Sequence, residues 1–207
     1  MIAIIDYGMG NLRSVQKALE HVGLRATVTR NPRTVARASH VVLPGVGAFH
    51  AGMKNLTRLN LIRPIERAVA QGKPFLGLCL GLQLLFTESE EFGRHRGLGL
   101  LKGRVVRFPT RPRLKVPHMG WNRLTIRRTD GWLGKTPEVR GGTYVYFVHS
   151  YYAVPQDKKM VTATTTYGVE FPSILHDGNI MACQFHPEKS QAAGLAILRA
   201  FGRTATT

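Results

Sequence analysis

The sequence predicts an α/β fold: a central, mostly parallel sheet flanked by helices, with antiparallel strands in the C-terminal half. Three observations predict it. Short apolar runs alternate with helical patterns through the first half of the chain, as a parallel sheet covered on both faces requires. The second half changes to β-branched and aromatic runs separated by turn residues rather than helices. Between these regimes the apolar run Pro74–Leu78 passes directly into Cys79, a strand-to-helix turn at the carboxyl edge of a parallel strand.

The elements follow in order. Ile2–Ile5 reads as a first strand, Leu12–His21 as a helix and Ala26–Thr29 as a short second strand. Asn31 is placed to cap a helix that Pro32 opens. His40–Leu43 is strand-like and ends at the breaker cluster Pro44-Gly45-Val46-Gly47. Leu61–Val69 is amphipathic, and Pro74–Leu78 is a buried strand. Then come the strand-like runs Val105–Phe108, Asn122–Ile126, Tyr144–Tyr152, Met160–Thr166 and Ile174–Gln184. The last carries a hairpin signal, His176-Asp177-Gly178-Asn179. Ala192–Phe201 closes the chain as a helix. No repeat or linker interrupts it, and the loop-rich segment Pro109–Pro117 does not mark a boundary, so residues 1–207 are expected to form one domain.

Composition bounds the class. At 43% hydrophobic, the 207 residues suffice for a sizeable core. No apolar run is long enough to span a bilayer, and the N-terminus lacks the charged region and cleavage site of a signal peptide. Two cysteines, Cys79 and Cys183, make no disulfide framework, so a cytoplasmic location is expected. The net charge of +17 is uneven: the stretch holding Arg94, Arg96, Lys102, Arg104, Arg107, Arg111, Arg113, Lys115, Arg123, Arg127 and Arg128 has no acid before Asp130. It reads as a solvated surface or as a docking face for an acidic partner. Nucleic acid is the weaker candidate, because no aromatic-interleaved basic motif is present.

Cys79 sits in Gly77-Leu78-Cys79-Leu80-Gly81-Leu82-Gln83. The glycines at two residues on each side suit the tight turn of a nucleophile elbow. The N–H groups of the following helix face the sulfur and favour its ionised form, and the Leu80 N–H is placed to stabilise an oxyanion. Cys183 lies in an alternating strand with no glycine beside it, and reads as a core residue. In Gln184-Phe185-His186-Pro187-Glu188, Pro187 stops the strand at His186. Glu188 can then hold one imidazole nitrogen while the other faces a thiol. The remaining histidines show no metal-ligand spacing, so no metal and no cofactor are expected. His118 and His149 are expected in aromatic loops near the site, either binding substrate or filling polar gaps.

These residues resemble the class I (triad) glutamine amidotransferases. Four further segments narrow the resemblance: Asp6–Val15, Leu43–Phe49, Pro117-His118-Met119-Gly120-Trp121-Asn122 and Tyr146–Tyr152. With them the chain is similar to the glutaminase subunits of imidazole glycerol phosphate synthases, from Asp6 to Glu188. The resemblance implies an enzyme in which Cys79 attacks the side-chain amide of L-glutamine, His186 moves the proton and Glu188 orients the imidazole. It implies an oxyanion hole from Leu80 and the Gly45-Val46-Gly47 loop, whose glycines permit a peptide flip that switches activity. It implies glutamine binding by Gln83, Ser150 and Tyr151. It also implies a partner, a (β/α)8-barrel cyclase subunit that receives the ammonia, with Asn11 and Lys189 at the interface. Trp121, an amphipathic anchor or a core residue, and Tyr144 complete the candidate interface.

Other readings compete. A cysteine peptidase or chaperone-like hydrolase shares the elbow, but His186-Pro187-Glu188 and the Pro-Gly-Val-Gly loop argue against it. A vitamin B6 glutaminase has no reason to carry Pro117–Asn122. A non-catalytic basic binding protein would keep its function in Cys79→Ala.

Overall fold

The computed structural model describes residues 1–112, 114–129 and 132–205. The first half contains β1 (Ile2–Ile5), α1 (Leu12–His21), β2 (Ala26–Thr29), α2 (Pro32–Arg37), β3 (His40–Gly45), α3 (Phe49–Arg58), α4 (Ile62–Ala70), β4 (Phe75–Cys79) and α5 (Leu80–Leu84). After it come β5 (Phe86–Ser89), β6 (His95–Arg96), β7 (Leu101–Arg107), β8 (His118–Arg123), β9 (Thr125–Ile126), β10 (Tyr144–His149) and β11 (Tyr151–Pro155). The chain continues through β12 (Val161–Tyr167), β13 (Val169–Asp177), β14 (Ile180–Cys183) and α6 (Gln191–Gly202).

The main sheet runs β2-β1-β3-β4-β14-β13-β12-β9. Pairings from β2 to β14 are parallel, and those from β14 to β9 are antiparallel. This is the predicted architecture. Strands β1, β4 and β14 are buried along their whole length, which explains their unbroken apolar sequences. Successive residues feed two cores. Ile4, Leu76 and Leu78 join Leu19, Ile197 and Phe201 from α1 and α6 on one face. Ile5 and Phe75 join Phe49, Leu56 and Ile65 from α3 and α4 on the other. The Asn31 side chain caps α2 by accepting from the Arg33 N–H at 2.9 Å. Among the described residues no helix is long and apolar enough to cross a membrane.

Several boundaries differ from the sequence reading. β3 continues past Leu43 to Gly45, because β1 pairs only as far as Val42 and the missing N–H of Pro44 lies beyond its end. The run Tyr144–Tyr152 breaks at Ser150, since β10 pairs with β8 while β11 pairs with β7 in a separate sheet. The run Asn122–Ile126 breaks at Leu124, which is buried and donates its N–H to the Thr143 carbonyl at 2.8 Å. His118 and His149 lie in paired strands, not loops, opposite each other across β8 and β10. Helix α3 had no clear signal because it follows a breaker cluster and contains Gly52.

The basic stretch is divided among β6, β7, β8 and their loops. Arg94 pairs with Glu88 at 2.8 Å, Arg104 with Glu90 at 3.6 Å, and Arg127 with Glu170. Arg113 and Asp130 lie outside the described residues. Exposed pairs of this kind are screened by solvent and balance only part of the stretch, so they do not account for the excess charge.

Candidate active site

Cys79 ends β4 and precedes α5 with φ 53° and ψ −108°. A non-glycine residue in that region costs about 1–3 kcal/mol and is held there only by its surroundings. The glycines at positions 77 and 81 permit it. A Cβ at Gly81 would collide with the Leu43 carbonyl oxygen of β3. One at Gly77 would lie 2.9 Å from Leu85 Cδ1 and 3.1 Å from the Gly81 carbonyl. Helix α5 is only five residues long. A helix this short has little macrodipole, so the predicted effect on the sulfur falls to the free N–H groups of its first turn. Leu80, one of the predicted oxyanion donors, is the first residue of that turn.

The second half of the site arrives on the strand next to β4. β14 ends at Cys183, and the His186 N–H then donates to the Tyr146 carbonyl at 2.9 Å. Pro187–Lys189 turns as a short 3-10 helix, bringing Glu188 Oε1 to 2.8 Å from His186 Nδ1. Both side chains are buried, at 5% and 2% exposure. Glu188 Oε2 has no hydrogen-bond partner among the described residues, so the carboxylate depends on the imidazole for compensation. Burial pushes the His186 imidazole down, but its hydrogen bonds to Cys79 and Glu188 outweigh burial and hold it up at about 10. The imidazole thus lies between the Cys79 sulfur and the Glu188 carboxylate, both of which favour its protonated form. Cys183, fully buried, is pushed up by burial and takes no part in the cluster.

A cavity of about 310 Å³ opens over these groups. Its lining includes Cys79, Leu80, His186, Val46 and Gly47, and also Gln83, Ser150 and Tyr151. Gly45 lies one residue beneath, paired with Cys79 across β3 and β4. The structure therefore brings together the predicted triad, oxyanion and substrate residues. A larger cleft, about 770 Å³, lies between Trp132 and α6, away from any of them.

Two residues escaped the sequence reading. Glu91 lines the cavity and accepts from the Phe49 N–H at 2.5 Å. It puts a carboxylate where an ammonium group can be received. Gln184, fully buried, donates from Nε2 to Cys79 Sγ at 3.9 Å and accepts from Gln83 Nε2 at 3.1 Å. Glu91 stands in no recognisable motif, and Gln184 lies two residues before His186 with no local pattern that gives it a role.

The predicted partner-facing residues lie mainly on one face. Trp121 and Tyr144 are 45% and 59% exposed, so Trp121 is not a core residue. Trp121 packs edge-on against Tyr146, directly across β8 and β10, and Lys189 Nζ sits 5.8 Å above the same ring. Asn11 is exposed at the start of α1. Met119, 63% exposed, extends the apolar face.

Comparison with known proteins agrees with this geometry. The family model for class-I glutamine amidotransferases matches residues 3–204. A Syntrophotalea carbinolica protein named imidazole glycerol phosphate synthase subunit HisH is 57% identical, over 98% of this chain and 99% of its own. The protein of the same name from Geobacter sulfurreducens is 55% identical, over 97% of each chain. Among solved structures, that of PurLQS from Thermotoga maritima aligns with a TM-score of 0.74 at 19% identity, covering 97% of this chain and 96% of its own. A crystal structure of a glutamine amidotransferase gives the same score and identity, over 98% and 100%. At that identity the two structures speak for the fold alone.

Proposed function

The chain belongs to the class-I glutamine amidotransferase family, and from that premise we propose that it is the glutaminase subunit of an imidazole glycerol phosphate synthase. One observation carries the chemistry: a buried His186–Glu188 pair, 2.8 Å apart, whose imidazole lines one cavity with a cysteine held at φ 53° on a strand-to-helix elbow. The relatives at 55% and 57% identity over nearly whole chains support the assignment to histidine biosynthesis.

The proposed reaction follows from the geometry. L-Glutamine enters the cavity with its amide carbon toward Cys79 and its α-ammonium toward Glu91. His186 takes the thiol proton of Cys79 as the sulfur attacks the amide carbon. The oxyanion that forms takes the Leu80 N–H and a second donor from the Gly45-Val46-Gly47 loop. The His186 imidazolium protonates the departing nitrogen, which leaves as ammonia, and Glu188 stabilises the charged ring beforehand. Water then attacks the thioester. His186 takes its proton, and glutamate leaves with Cys79 regenerated.

Glu188→Gln tests the role of the pair. Loss of the carboxylate removes one of the hydrogen bonds that hold His186 up at about 10. In the parent, activity should persist through the alkaline range until the ring loses its proton near that value. In the variant the alkaline limb should move to lower pH, with a rate loss of about 10²- to 10³-fold, smaller than for Cys79. A pH–rate profile with an unmoved limb would show that Glu188 does not set the imidazole's charge.

The ammonia needs an acceptor, and the described residues offer no second catalytic cluster beside the first. We assign it to a cyclase subunit with a (β/α)8-barrel fold, docked in a cytoplasmic heterodimer on the face of Trp121, Tyr144 and Lys189, with Asn11 beside it. The test is glutamate release with and without that subunit and its nucleotide ligand. Low basal turnover and strong stimulation are expected. A correctly folded cognate barrel that leaves turnover unchanged would falsify the assignment. Trp121→Ala should weaken the complex by about 2 kcal/mol without changing basal turnover.

A further inference from the structure

A buried chain of hydrogen bonds runs to Cys79 from the other end of the site, and the reaction as described leaves most of it unused. The Tyr151 carbonyl accepts twice: from His149 Nδ1 at 2.8 Å and from Gln83 Nε2 at 2.9 Å. A carbonyl oxygen can only accept, so it sets the polarity of both branches.

On one branch His149 carries its proton on Nδ1, and its Nε2 faces His118 Nδ1 at 3.0 Å as an acceptor. His118 therefore donates from Nδ1, and its Nε2 accepts from Asn122 Nδ2 at 3.2 Å. Both rings must be neutral for this order, and burial pushes them down to about 4 and about 3 for His118 and His149. On the other branch Gln83 has turned its amide nitrogen to Tyr151, and the same nitrogen donates to Gln184 Oε1 at 3.1 Å. Gln184 must then aim its own Nε2 onward, and it does so at Cys79 Sγ, 3.9 Å away.

We infer that the His118–His149 pair is a positioning device which, through the Tyr151 carbonyl, Gln83 and Gln184, keeps an N–H donor on the reacting sulfur. A donor at that place favours the charged form of the sulfur and opposes the Val148 carbonyl, which accepts from the same Sγ at 3.7 Å and favours the neutral form. The polarity has a second consequence. Gln83 spends its nitrogen inside the protein and offers the cavity only Oε1, so it recognises a donor group of the substrate, an ammonium or an amide N–H, and not a carboxylate.

The inference rests on Cys79 being the nucleophile proposed above. Its test therefore uses neither glutamine nor a partner, so failure of one reading is distinguishable from failure of the other. The measurement is the rate of alkylation of Cys79 by iodoacetamide in the folded full-length chain, read by mass, with Cys79→Ser as background. Gln184→Met removes the donor at similar volume, and should slow alkylation about tenfold near neutral pH. The deficit should shrink as the solution is made more alkaline. A packing defect would slow the reaction at every pH.

His149→Phe keeps the ring's place among Phe108, Phe147 and Phe171 but frees the Tyr151 carbonyl, and should slow alkylation about threefold. His149→Asn, which can still donate to that carbonyl, should bring the rate back toward the parent. Equal rates for Gln184→Met and parent, both folded by thermal melting, overturn the inference at the sulfur. A slow Gln184→Met beside an unaffected His149→Phe overturns it for the histidine pair.

Discussion

Cys79→Ala is expected to lower glutamate release from glutamine by about 10⁴- to 10⁶-fold, the scale on which removing an acyl-transfer nucleophile acts. The fold should survive. Alanine, like cysteine, is a non-glycine residue in the φ 53° position, so the elbow carries no new strain. The lost sulfur leaves a gap beside a cavity that is already open, worth about 1 kcal/mol. Product formation by the complex from added ammonia should continue, because Cys79 only liberates ammonia. Side-by-side assays with glutamine and with ammonium salt check this. If both fail equally, Cys79 has a structural role in the complex. If glutamate release persists above about one per cent, another residue is the nucleophile, and the mechanism falls.

The site was legible where its chemistry is compressed into short segments. Cys79 with Gly77 and Gly81, and His186 with Glu188, lie within a few residues of each other because a sharp turn and a strand end are local structures. The sheet was legible for a related reason. Strands covered on both faces need unbroken apolar runs, and β1, β4 and β14 have them.

Other features depend on where distant segments pack. Tyr144–Tyr152 is aromatic and β-branched apart from His149 and Ser150 and contains no glycine or proline, so no breaker marks Ser150 as the point where the chain leaves one sheet for another. Yet that break places Ser150 and Tyr151 at the cavity. Glu91 reaches the cavity only because the chain past β5 returns beside α3, where its carboxylate receives the Phe49 N–H. Gln184 lies two residues before His186, but its role follows from the direction of amide groups on three separate elements. His118 and His149 illustrate the same limit: burial keeps both rings neutral, and the order of their protons is set by a carbonyl whose position no local pattern predicts.

Gly81→Ala should be the most damaging single change to the fold among the elbow residues. The difficulty is space rather than backbone conformation. The new methyl group would collide with the carbonyl oxygen of Leu43 and lie 3.4 Å from Leu43 Cγ. Leu43 cannot yield cheaply. It pairs with Gly77 in the middle of the β3–β4 ladder, and its fully buried side chain packs in the core with Phe49 and Leu56. Relief must therefore come from lifting α5 off the sheet, which opens the core under Leu82 and Leu84 and displaces Cys79 from His186. Backbone clashes and repacking of this kind cost about 3–5 kcal/mol, against a total stability of about 5–15 kcal/mol. For a chain of 207 residues this corresponds to a fall in melting temperature of about 10 °C. Gly77→Ala is the internal comparison. Its methyl group would meet the tip of Leu85, 2.9 Å away, which can change rotamer, and the Gly81 carbonyl at 3.1 Å, which must shift slightly, so about 1–3 kcal/mol is expected. Activity should fall further than the folded fraction in Gly81→Ala, because the elbow itself moves. A melting temperature within about 2 °C of the parent would mean that α5 can shift without cost. In that case the close approach of Gly81 to β3 is not what holds Cys79 in its strained conformation.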